Sequence, residues 1–130
     1  MASIFSRIVN GEIPCYKVAE SEDFLAFLDI QPLALGHTLV IPKKEVDYIF
    51  DLDDATYLGL LAFAKEVATQ MKTKIDCKRI GVTVIGLEVP HAHIHLVPLQ
   101  TVADINFSGP KLAPTKEELS AMAMLLSNNS

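Results

Sequence analysis

Pro90-His91-Ala92-His93-Ile94-His95-Leu96-Val97-Pro98 places three of the chain's four histidines within five positions. On a helix, residues two apart point to nearly opposite sides, so the three rings would scatter. On a strand, a period of two puts all three on one face. The other face then carries Ala92, Ile94 and Leu96, which suit a core. The stretch therefore reads as a strand opened by Pro90 and closed by Pro98. It presents a row of imidazoles spaced about 6–7 Å along one face.

Other strands can be read outward from this one. His37-Thr38-Leu39-Val40-Ile41 is β-branched and apolar, and Pro42 ends it. Tyr16–Glu20 and Phe24–Leu28 flank the turn Ser21-Glu22-Asp23 and read as a hairpin. Arg79–Ile85 reads as a strand ending at Gly86. The helices have their own signals. Ser3 caps a short one through residue 10, with Ile4, Phe5 and Ile8 on one face and Asn10-Gly11 as the stop. Residues 47–52 read as a second short helix. Asp53 or Asp54 caps a long one through about residue 74, where Leu58, Leu61, Ala62, Lys65, Ala68, Met71 and Ile75 follow helical spacing. Thr115-Lys116-Glu117-Glu118 is a capping-box pattern ahead of Leu119, Met122, Ala123 and Leu126. Residues 127–130 read as a frayed tail. Hairpin strands, a helix and further strands predict an α+β fold on an antiparallel sheet. The expected organisation is one domain over 1–130, with a core at about 3–98 and a C-terminal extension at 99–130.

The composition fits a folded domain. Of 130 residues, half are hydrophobic and 21% charged. A chain of this size can bury roughly two-thirds of its unfolded surface. The formal net charge of −5 opposes long nucleic acids, whose phosphate backbone attracts basic surfaces. A small nucleotide remains compatible, because a local pocket can favour phosphate inside an acidic protein. No apolar run approaches the roughly 20 residues that span a bilayer, so no membrane partner is expected. The N-terminus has no basic stretch leading into an apolar one, and no signal peptide is expected. Cys15 and Cys77 form no C-x-x-C pair. They read as reduced thiols of a cytoplasmic protein.

An aligned row of imidazoles has three chemical uses. It can ligate a metal. One imidazole can attack phosphorus while its neighbours bind phosphate oxygens. It can also be a satisfied polar strip. His37, at the start of another strand, adds a fourth ring. Asp29, eight residues before it, follows a hydrophobic strand, where a carboxylate can accept hydrogen bonds from a ribose diol.

These residues also carry a family resemblance. His91 to Val97 fits the pattern His-φ-His-φ-His-φ-φ, with φ hydrophobic, and so resembles the signature of the histidine triad (HIT) family. Ile4–Val9 with Glu12-Ile13-Pro14, Leu25–Pro32 and Gly36–Lys43 resemble that family's other blocks, in family order, over about residues 3–98. The resemblance implies a HIT-like sheet of about five antiparallel strands and a homodimer formed through the long helix and a strand. It implies cleavage of a purine nucleoside monophosphate linkage, a phosphoramidate or a dinucleoside polyphosphate, through a nucleotidyl-histidine intermediate. His93 would be the nucleophile, and His95 would contact a phosphate oxygen or protonate the leaving group. His91 and His37 would support the cluster, and Asp29 would hold the ribose. Phe5, Ile8, Ile13, Phe27 and Ile30 would line the base pocket. Neutral imidazole has an ordinary pKa of about 6.5 and can attack without help, so neither a metal nor a cofactor is required. The chain departs from the family before the triad. Ile85-Gly86-Leu87-Glu88-Val89-Pro90 is shorter than the usual Gly-rich loop. Glu88 falls where a small hydroxyl residue is expected beside the substrate. Two alternatives follow: a purine-nucleotide-binding module with little turnover, or a zinc site built from His91, His93, His95 or His37.

Overall fold

The computed structural model describes residues 2–127, so the tail at 128–130 lies outside the described residues. The elements run α1 (Ile4–Val9), β1 (Lys17–Glu20), β2 (Phe24–Leu28), β3 (Thr38–Pro42), α2 (Asp54–Lys74), β4 (Arg79–Thr83), β5 (Ile94–Leu99) and α3 (Lys116–Ser127). Short 3-10 turns occupy Ile49–Asp51 and Val102–Ile105. The sheet is antiparallel throughout, in the order β1-β2-β3-β5-β4.

The helix ends follow their sequence signals. Ser3 Oγ accepts from the Ser6 N–H at 3.0 Å, and Asp53 Oδ1 accepts from the Thr56 N–H at 3.0 Å. Thr115 and Glu118 close a reciprocal capping box at 2.9 and 3.1 Å.

Strand alternation divides the interior into two layers. Registers align Phe27 with Leu39, Leu39 with His95, and Thr83 with His95. Paired residues share a face. One face therefore holds Leu25, Phe27, Leu39 and Ile41, which cluster with Phe5 of α1. The other holds Val18, Ala26, Val40, Ile94 and Leu96. Against it pack Leu60, Phe63, Val67 and Met71 of α2, with Leu119, Ala123 and Leu126 of α3. Both larger helices thus cover one side of the sheet. The histidine side receives only α1 and loops.

The histidine strand is shorter than its proline brackets imply. His91 and His93 precede the ladder, which begins at Ile94 opposite Val40. The reason is Pro42. It has no N–H to extend the ladder, and its carbonyl accepts instead from His91 Nε2 at 2.7 Å. The Ala92 N–H turns to the Val46 carbonyl at 2.7 Å. Pro98 does not end the strand, because β3 pairing stops at Leu96 and Pro98 has a partner only in β4. β4 ends at Thr83 rather than Ile85, β3 begins at Thr38 rather than His37, and 47–52 contains only the 3-10 turn. Among the described residues no helix is long and apolar enough to cross a membrane.

Gly36 sets the start of β3. Its φ is +95°, and an added Cβ would lie 2.5 Å from the Ile75 side chain. Gly86 also has positive φ, +74°, but opens to free space. Gly36→Ala is expected to lose about 1–3 kcal/mol to backbone strain plus repacking of Ile75. Gly86→Ala should lose the backbone part alone. Urea unfolding of both variants checks the order.

Candidate active site

The four histidines converge on the side of the sheet opposite α2. His37, His91, His93 and His95 are all buried. The ring centroids of His93 and His95 are 4.9 Å apart, and those of His37 and His95 are 5.2 Å apart. Phe5 meets His93 and His91 edge-on at 5.1 and 5.9 Å.

Their hydrogen bonds fix which nitrogen carries each proton. A neutral imidazole has one N–H and one lone pair. His91 Nε2 faces the Pro42 carbonyl, which can only accept, so Nε2 donates. His91 Nδ1 then accepts from Ser3 Oγ at 2.9 Å. His93 Nδ1 donates to the His91 carbonyl at 2.8 Å, which leaves the lone pair on Nε2. The Leu33 N–H donates to His37 Nδ1 at 3.1 Å, so the proton of neutral His37 sits on Nε2. That proton goes to His95 Nδ1 at 3.0 Å, and the N–H of His95 is thereby placed on Nε2. Every fully buried side-chain N or O atom among the described residues has a partner. Nε2 of His93 and Nε2 of His95 have none, so they are the two ring nitrogens that reach solvent. One presents a lone pair and the other a proton.

Burial disfavours the charged form of His37, His91 and His95. It pushes His95 down to about 3, with the nearby His93 and His37 adding to the effect. It pushes His37 down to about 4, with Lys111 and His93 contributing. His91 is lowered by burial too, against the raising influence of its bond to Pro42.

A polar knot behind His91 was not legible in the sequence. Ser3 accepts from the Ser6 N–H and donates to His91. Ser6 Oγ donates to Glu45 Oε1 at 2.6 Å, and the Ser3 N–H reaches the same oxygen at 2.6 Å. These bonds, Ser6's first, hold the Glu45 carboxyl down at about 2. The cap of α1 thus also orients a histidine 88 residues away. Ser3 reads as a helix cap, and no local signal ties it to His91.

Asp29 lies beside His37 because the Asp29 N–H donates to the His37 carbonyl at 3.0 Å. Its Oδ1 accepts from the Gln31 N–H at 2.9 Å, and Oδ2 is 3.8 Å from His37 Nε2. Burial raises its pKa against that backbone bond. Phe5 and Phe27 are buried and meet edge-on at 5.4 Å. Ile8 and Ile13 are half-buried, whereas Ile30 is 62% exposed. Glu88 is exposed on the turn before His91, and its charge reaches Asp29.

Asp29, His37 and His95 bring possible metal ligands within 4.8 Å of one another. This is a different set from three aligned triad rings. As arranged it does not fit a cation, because the Leu33 N–H already uses the one lone pair of neutral His37. The proton on His37 Nε2 points where an ion would bond.

Comparison with known proteins points to one family. The HIT domain family model matches residues 10–102. An uncharacterized HIT-like protein of Borreliella burgdorferi is 35% identical, with 97% of this chain and 96% of that protein covered. The adenosine 5'-monophosphoramidase of Schizosaccharomyces pombe is 36% identical over 75% of this chain and 74% of its own length. The crystal structure of a HIT-like protein from Bartonella henselae superposes with a TM-score of 0.83 at 29% identity, covering 96% of this chain and 94% of that one. The five-stranded antiparallel sheet with its buried histidine row is a HIT fold, and the chain belongs to the HIT family.

Proposed function

We propose that this protein cleaves a purine nucleoside monophosphate linkage, with His93 as the nucleophile. One observation carries the reading: His93 Nδ1 is held by the His91 carbonyl at 2.8 Å, which aims the Nε2 lone pair outward. The S. pombe relative's name as an adenosine 5'-monophosphoramidase supports AMP joined to an amine as the substrate class.

The chemistry follows from the proton positions. His93 Nε2 attacks the α-phosphorus, and the bond from phosphorus to the departing nitrogen breaks with its electron pair on nitrogen. That nitrogen accepts a hydrogen bond from His95 Nε2–H and takes its proton from solvent, since a neutral imidazole that lost its one N–H proton would be left as an anion. Water then attacks the phosphorus held on His93, the bond from phosphorus to His93 Nε2 breaks with its electron pair returning to Nε2, and the water leaves its hydroxyl on phosphorus and its other proton to solvent. Over the cycle one water supplies both parts. His91 holds His93 through its carbonyl, and His37 fixes the tautomer of His95. Asp29 is the carboxylate for the ribose diol, with Oδ2 free of backbone bonds. Exposed Ile30 and half-buried Ile8 and Ile13 offer an apolar surface to the base, backed by Phe5 and Phe27. Glu88 is the departure, a carboxylate near Asp29 that disfavours additional phosphates on that side. A nucleotide-binding module with little turnover is the second reading, favoured by Glu88 alone.

A homodimer belongs to the same reading. β4 is an edge strand with Val82 60% exposed, sharing a groove with Leu61 of α2, which is 39% exposed. Edge pairing between two copies would cover this apolar strip.

Three outcomes are expected. His93→Ala abolishes cleavage of an AMP phosphoramidate while AMP still binds by calorimetry; undiminished cleavage removes His93 from the role. Sedimentation finds a dimer that Val82→Lys converts to monomer. The third outcome concerns pH. In the unfolded chain His37 and His95 take up protons below about pH 6.5. In the folded chain they resist down to about 4 and 3. The unfolded state then binds more protons, so stability present above about 6.5 is lost as pH falls. The urea midpoint should drop from pH 7 to pH 5, a window above the ordinary carboxylate range. The drop should be smaller in His95→Gln, and an equal drop in both proteins contradicts the neutral-imidazole site.

A further inference from the structure

The family match ends at residue 102, yet the chain returns to the histidines after that point. Asn106 folds a compact turn there. Its carbonyl accepts from the Gly109 N–H at 3.1 Å, and its Oδ1 accepts from the Ser108 N–H and Oγ at 3.1 and 2.8 Å. Lys111 Nζ donates to the Phe107 carbonyl at 3.2 Å. The Leu112 N–H donates to the Pro32 carbonyl at 2.9 Å, which pins the segment to the loop between Asp29 and His37. Backbone and polar groups make all of these ties. None needs the Phe107 side chain.

That side chain goes to the site. Its ring centroid is 4.6 Å from His95 and 5.9 Å from His37, both edge-to-face. Phe107 is half-buried. Phe5 stands against His93 and His91 at the other end of the row, so the four imidazoles lie between two phenyl rings. A group hydrogen-bonded to His95 Nε2 sits at the ring that Phe107 abuts, 4.6 Å away centroid to centroid.

We propose that Phe107 is a specificity-determining residue: it forms an apolar wall beside His95 against which the departing group of the substrate packs. The proposal rests on His95 facing that group. The wall favours departing amines with an apolar body over ammonia, since one apolar contact in a pocket separates substrates by about ten-fold or more.

The test compares the AMP amide of ammonia with the AMP amide of benzylamine. The native chain should prefer the benzyl substrate in kcat/KM. In Phe107→Ala the benzyl-to-ammonia ratio should fall about ten-fold, and Phe107→Leu should recover part of it. Equal loss on both substrates, or a gain on both, overturns the proposal, because those outcomes describe general support of His95 or a plug. A second measurement needs no turnover. The chain has no tryptophan, so Phe107→Trp introduces a single indole. Combined with His93→Ala, it should show a saturable change in emission with the benzyl amide, larger than with AMP. No change with either ligand overturns the proposal. If the native chain cleaves neither amide, the nucleophile reading fails, while the indole titration still decides whether the wall meets the ligand.

Discussion

A buried neutral imidazole must place one proton and one lone pair, and four of them in one site leave few consistent arrangements. Each carbonyl and amide bordering the row removes a choice. The Pro42 carbonyl orients His91, the His91 carbonyl orients His93, and the Leu33 N–H orients His37 and through it His95. The free lone pair on His93 and the free proton on His95 are the remainder. The fold supplies those borders by sheet pairing. β5 must lie between β3 and β4 for His95 to stand opposite Leu39 and Thr83, and Asp29 must bond the His37 backbone for Leu33 to reach the ring.

Neutrality has an energetic side. Burial depresses His37 and His95 well below ordinary histidine, so the site holds uncharged rings where solvent would partly protonate them. Two carboxylates near the row are engaged by other groups. Glu45 is exposed and occupied by Ser3 and Ser6, and Asp29 gives one oxygen to Gln31.

Much of this was legible in the sequence, because period and chemistry agreed. Ala92, Ile94 and Leu96 do enter the helix-covered core, as alternation requires, and Asp53, Ser3 and Thr115 cap their helices. The errors came from long-range hydrogen bonding. Pro90 and Pro98 suggested strand ends, but what stops the ladder is Pro42 on the neighbouring strand. Ser3, Ser6 and Glu45 carry no local mark of their link to His91. Phe107 sits in an irregular stretch with no periodicity, so only three-dimensional placement shows it against His95.

The uneven covering of the sheet has a further consequence. α2 and α3 bury one face under many large side chains. The histidine face is roofed by a six-residue helix and a turn held largely by backbone bonds. Segments with few buried apolar contacts open at a small fraction of the global unfolding free energy. The molecule therefore has a stiff floor and, at Asn106–Leu112, a loosely fastened part of its roof. Hydrogen exchange at Asn106–Leu112 can run fast while α1, anchored by Phe5 and Ser3, stays protected with β3, β5 and α2. Openings confined to that turn leave the bond from His93 Nδ1 to the His91 carbonyl in place.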